Sequence, residues 1–136
     1  MGTWGYKNFE NDTAFDYLNA FIEYPDIRHI EDVFDYILEK EDFLDSEGSS
    51  VGLACAEIIL NQLEPDNKEN IPDEFYLDDI KLIISKELIK SAIATINKIL
   101  HFDKHSELRE LWIDSDSYED WVEEQNRLLK ALNNHI

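Results

Sequence analysis

The sequence predicts an all-α fold: a single-domain bundle of five to six helices over residues 1–136, packed around a central apolar helix at about residues 50–63. Three observations carry this. Apolar residues recur at the 3.6-residue spacing of a helix face in segment after segment. No segment alternates polar and apolar residues with the period of two that a half-buried strand needs, so no strand is expected. Four Gly and three Pro are too few for a turn-rich β fold, and 43% hydrophobic residues suffice for a core.

The first helix is predicted to start at Asp12, whose carboxylate can accept a hydrogen bond from a free amide of the first turn. Phe15, Leu18 and Ile22 fall on one face, and Pro25 ends the helix because the residue before a proline is pushed out of the α region. Upstream, Trp4 and Phe9 are expected to fold back onto the core as anchors, Trp4 as a packing residue. A second helix runs from Asp26 to about Lys40 on a stripe of Ile27, Ile30, Phe34 and Ile37, and Gly48 suits the turn that follows.

The third helix, Val51 to Leu63, is apolar nearly all the way round, the pattern of a buried helix. Glu57 is the exception. A buried carboxylate needs a partner, or its pKa rises and it becomes a candidate acid or base. Residues 64–75 form a polar connector with two prolines. A fourth helix is expected from Asp78 or Asp79 to about Leu100, with a kink or break near Ser85 and an exposed lysine strip of Lys81, Lys86, Lys90 and Lys98. Ser106 is placed as the cap of a short helix over Glu107 to Ile113. Asp116 with Glu119 reads as a capping box opening the last helix, whose stripe includes Trp121, Gln125, Leu128 and Leu132.

A net charge of −19 is the strongest compositional statement. Nucleic acid and anionic membranes attract Lys and Arg, so neither is an expected partner, whereas a basic protein is. Glu31, Asp32, Asp35, Glu39, Glu41, Asp42, Asp45 and Glu47, with Lys40 the one base among them, form the candidate binding face. No apolar run approaches the roughly 20 residues of a membrane helix. A single cysteine, Cys55, excludes an internal disulfide, and the expected location is the cytoplasm.

Catalytic motifs are absent from the sequence: no glycine-rich phosphate loop, no cysteine-pair zinc spacing, no nucleophile elbow. His101 and His105 are four apart, with Asp103 between, but that spacing alone does not make a metal site. Cys55 lies in the most apolar run, where a thiol is inert packing. No catalytic residue, metal or cofactor is therefore predicted.

The opening Met1-Gly2-x-Trp4-Gly5 and Phe9-Glu10-Asn11-Asp12-x-Ala14-x-Asp16, the block Ala54-Cys55-Ala56-Glu57, and Ser106-Glu107-Leu108-Arg109-Glu110-Leu111-Trp112 with the later Trp121 resemble a bacterial family catalogued as domain of unknown function 4259. Tyr6, Lys7 and Cys55 depart from its usual pattern. The resemblance spans nearly the whole chain and implies a helical fold and a small cytosolic protein, with no activity attached. It marks Trp4, Gly5, Asn11, Asp12, Glu57, Arg109 and Trp112 as structural positions of the family. Because Glu57 and Arg109 both lie in such blocks, a buried ion pair between them is expected, with the Trp4 indole nearby.

The function expected is a protein-binding module, in the manner of an immunity protein or antitoxin that blocks a basic effector. Two alternatives stand beside it: a small-ligand binder or enzyme using Glu57 with His101 or His105, and a self-assembling subunit in which the lysine strip meets the acidic face of another copy.

Overall fold

The computed structural model describes residues 2–136. Six helices build it in the order α1 (Asp12–Glu23), α2 (Ile27–Leu38), α3 (Ser46–Leu63), α4 (Lys86–His101), α5 (Glu107–Ile113) and α6 (Tyr118–Asn133). The architecture is all-α around a central helix, as expected: α3 packs against each of the other five helices. From Gly52 to Asn61 every α3 residue is buried, because its apolar residues occupy all faces and leave no side for water. Leu18, Phe34, Ile96, Trp121 and Leu128 close over it from the surrounding helices.

Local chemistry explains the helix starts and corrects several. The α1 cap is Asn11, whose side chain accepts from the Ala14 N–H at 2.8 Å; Asp12 is the first helical residue. Asn11 also lies in an antiparallel bridge with Thr3, so the N-terminal segment doubles back and presents Asn11 in the extended conformation a cap requires. Asp26, expected as the first residue of α2, is its cap, accepting from the Arg28 N–H at 2.9 Å. Asp45 caps α3, accepting from the Gly48 N–H at 2.9 Å, so Gly48 lies inside the first turn of the helix and not in a loop. Its lack of a Cβ serves a close approach: a methyl there would meet Tyr36 Cε1 at 2.8 Å.

The fourth helix begins at Lys86, not at Asp78 or Asp79. Ser85, the expected break, is its cap and accepts from the Leu88 N–H at 3.1 Å. Upstream, the chain is pinned in non-helical form: Leu82 N–H donates to Gln62 Oε1 at 2.8 Å, Lys68 pairs with Asp78 at 2.9 Å, and Ile71 and Leu77 are buried. The Asp116–Glu119 capping box does not form either. Ser117 stands at the α6 cap without a side-chain cap bond, and its own N–H donates to Ser115 Oγ at 3.1 Å.

Two short strands contradict the expectation of none. β1 (Phe43–Leu44) and β2 (His105–Ser106) pair in parallel, Phe43 with His105 and Leu44 with Ser106. At two residues each they are too short to show any period. Each leads directly into a helix, so the pair sets the N-termini of α3 and α5 side by side. Glu107 then accepts from the Ser46 N–H at 2.7 Å across the pair. Ser106 holds the cap position of α5 but makes no side-chain cap bond; its hydroxyl donates back to the Ile99 carbonyl at 2.9 Å.

Candidate functional site

Two polar constellations stand out, one exposed on α2 and one buried between α3 and α6. The exposed one is the predicted acidic face. Glu31, Asp32, Asp35 and Glu39 project from α2 and its end, Glu41 and Asp42 from the turn before β1, and Glu47 from the first turn of α3; all seven are exposed. They face water because Ile30, Phe34 and Ile37 take the opposite side of α2 into the core. Among the described residues none of these seven forms a salt bridge. Asp45 does not belong with them. It is half-buried, caps α3 and accepts from the Tyr36 hydroxyl at 2.8 Å. Burial works to raise its pKa, but the Gly48 amide and the Tyr36 hydroxyl outweigh it and hold the carboxyl below its ordinary range.

One of the acids, Asp32, borders an apolar depression. Val33 and Tyr36 of α2 and Gly48 and Val51 of α3 line a shallow groove of about 260 Å³ with Asp32 at its edge. Tyr36 is 45% exposed, and Lys40 lies over its ring, 4.2 Å from the centroid. Leu38 and Phe43 add further exposed apolar surface. Of the lysine strip, Lys98 is used inside the molecule: its ammonium donates to the carbonyls of Leu38 and Lys40, satisfying orphan acceptors at the C-terminal end of α2. Lys81, Lys86 and Lys90 are exposed.

The buried constellation centres on Glu57. Its partner is Arg127 of α6, not Arg109. Arg127 also pairs with Glu124 at 3.1 Å. Asn8 completes the hub: its amide donates to Glu57 Oε1 at 3.1 Å, and its carbonyl oxygen accepts from Gln125 Nε2 at 2.8 Å. The N-terminal segment, α3 and α6 are thus tied together by buried hydrogen bonds. Burial raises the Glu57 pKa, opposed by the Arg127 charge and by hydrogen bonds from Arg127 and Asn8.

Arg109 has a different task. Its guanidinium donates to the carbonyls of Leu100 at 3.2 Å, Phe102 at 2.8 Å and Lys104 at 3.2 Å, capping the C-terminal end of α4. Trp4 is also displaced from its expected place: it is 57% exposed and touches Phe15, not Glu57 or Arg109. Phe9 is buried as expected, and Trp112 is half-buried, stacked on Trp121 with ring centroids 6.0 Å apart. Glu57 does not meet the two histidines. His105 pairs with Glu110 beside the start of α3, and Glu57 lies eleven residues further along that helix, about 16 Å away at 1.5 Å per residue. Cys55 is fully buried, and burial pushes its thiol up to about 12.

Sequence reasoning missed Arg127 and Asn8. The available signal was Gln125, an amide in the apolar stripe of α6, which marks that face as meeting another polar group.

A family described as a domain of unknown function, DUF4259, matches residues 2–124, which include Asn8 and Glu57 and stop just short of Gln125 and Arg127. Neither a curated protein nor a solved structure matches the chain. With the match covering almost its whole length, the chain belongs to the DUF4259 family.

Proposed function

We propose that this chain is a cytoplasmic protein-binding module that takes a basic protein on its acidic face, as an immunity protein or antitoxin takes its effector. The observation that carries the reading is the surface formed by α2, the turn after it and the first turn of α3: seven exposed carboxylates, without salt bridges among the described residues, and an apolar groove lined by Tyr36 with Asp32 at its edge. An aromatic anchor inside a charged rim is the anatomy of a recognition surface: the ring supplies affinity on desolvation, and the charges supply steering and specificity. The net charge of −19 adds long-range attraction for a cationic partner. Among the described residues no helix is long and apolar enough to cross a membrane.

The test is capture from the native host's lysate at low salt, run in parallel with the parent chain and with a variant carrying Glu31→Gln, Asp32→Asn, Asp35→Asn, Glu39→Gln, Glu41→Gln and Asp42→Asn. The expected result is one basic protein held by the parent, lost by the variant, and released well before about 0.5 M salt as screening shortens the range of the attraction. Equal capture by both chains, or capture indifferent to salt, overturns the reading.

A further inference from the structure

The N-terminal segment and the connector between α3 and α4 enclose a second cleft, of about 320 Å³, used by neither the acidic face nor the Glu57 hub. Trp4, Phe9 and Phe15 contribute its aromatic lining, and Glu69, Asp73 and Glu74 of the connector contribute its charge. Trp4 is the unusual member. An indole of this size is normally buried, yet more than half of its surface meets solvent. Its position is nonetheless defined. The Trp4 N–H donates to the Glu10 carbonyl at 3.0 Å, and the neighbouring Thr3 bridges Asn11. The ring stands edge-to-face with Phe15 at 6.1 Å, and Phe15 with Phe75 at 4.8 Å. The Trp4 ring is therefore held out over the cleft by packing on one side and backbone hydrogen bonds beneath.

The charge of the cleft is one-sided. Four acids line it, Glu10 and the three of the connector, against the single base Lys7. Glu10 is engaged, accepting from the Lys7 backbone N–H at 3.0 Å. Glu69, Asp73 and Glu74 are exposed and, among the described residues, form no salt bridge. An aromatic face beside unpaired carboxylates favours a cation twice over, through the ring quadrupole and through direct charge.

We propose that this cleft is a cation-binding site for an arginine side chain of a basic polypeptide, the guanidinium stacked on Trp4 and facing the connector carboxylates. Arginine fits better than lysine because its planar, weakly hydrated head can stack on the indole and still present N–H groups in its own plane to a carboxylate. The volume lies at the lower end of small-ligand sites, roughly 300–1,000 Å³, the scale of one long side chain. The site is independent of the acidic face, so either can fail alone.

The probe is a blocked pentapeptide, Gly-Gly-Arg-Gly-Gly, followed through the Trp4 indole N–H in NMR at about 0.15 M salt, with the neutral citrulline peptide as its isostere. The arginine peptide is expected to shift that resonance in a saturable way, and the citrulline peptide to bind at least about tenfold more weakly. Glu69→Gln with Asp73→Asn and Glu74→Gln, all on the surface, weakens binding about tenfold, and Trp4→Ala, which lacks the reporter and is followed by titration calorimetry alongside the parent, removes it. Glu39→Gln with Glu41→Gln and Asp42→Asn leaves it unchanged. Equal binding of the citrulline peptide, an equal loss from the acidic-face variant, or no shift at all overturns the proposal.

Discussion

Removing Arg127 leaves Glu57 as a carboxylate that is 3% exposed with Asn8 as its remaining partner. Breaking a buried pair from one side costs about 3–5 kcal/mol. The Arg127 side chain is 31% exposed, so water can reach the site, and Arg127→Met should fall at the lower end, about 3 kcal/mol at pH 7.5. Glu57→Gln should cost less, about 1–2 kcal/mol, because Arg127 keeps Glu124 and solvent, and the new amide oxygen can still accept from Asn8. The double variant should be more stable than Arg127→Met alone, since it buries no charge.

The pH dependence fixes the sign. Burial raises the folded-state pKa of Glu57 above its ordinary value of 4.5, so between the two values the native state holds a proton that the unfolded chain has lost. Stability from this group is therefore greatest below the unfolded pKa and declines as pH rises through the folded one. Deleting Arg127 removes the charge that opposes the shift and widens that window. The cost of Arg127→Met should shrink steadily as pH falls from 7.5 towards 5, the direction in which Glu57 takes up its proton. Urea melts of the four proteins at both pH values measure this, with the parent subtracting the titration of every other acid. A cost under about 1 kcal/mol at pH 7.5, or one identical at pH 5, would refute the reasoning.

Three further outcomes are expected. Arg109→Ala should destabilise by about 2 kcal/mol by leaving the carbonyls at the end of α4 without their charged donor, and urea melts should show the same cost at pH 5 and pH 7.5. Gly52→Ala should cost about 1–3 kcal/mol in thermal melts, because a methyl there runs into Ile37 Cδ1 and sits 3.3 Å from Thr95 Cγ2, where α3 meets α2 and α4. Asn11→Ala should cost about 1 kcal/mol as the loss of the α1 cap, with Asp12→Ala nearer neutral; a denaturant series in which Asp12 costs more would return the cap to Asp12.

Much of the fold was legible because helix periodicity is written in local spacing. The stripe of Ile30, Phe34 and Ile37 placed α2 and, by exclusion, its acids in water, so the candidate face was readable before any packing was known. Its one misassigned member, Asp45, illustrates the limit of composition: the same carboxylate serves as a cap or as free charge according to whether a helix starts behind it. The start of α4 was misplaced for a related reason. Asp78 and Asp79 are good caps, but residues 80–85 are kept out of the helix, Leu82 by its bond to Gln62 and the stretch before them by the buried anchors of the connector.

By itself the sequence determined the all-α class, the central position of the apolar helix, and the presence within it of one carboxylate in need of a partner. Each of these follows from residues within a few turns of one another. Which base answers Glu57, where Trp4 lies, and that two dipeptides pair as parallel strands were decided by tertiary structure alone. Arg109 and Arg127 are equally good counter-ions in composition. Arg127 pairs with Glu57 because packing α6 on α3 brings its guanidinium into reach, while the turn after α4 claims Arg109 for its carbonyls. Trp4 is large and apolar, yet the bridge from Thr3 to Asn11 holds its segment on the surface, where burial would break the hydrogen bonds that fix the chain's first turn.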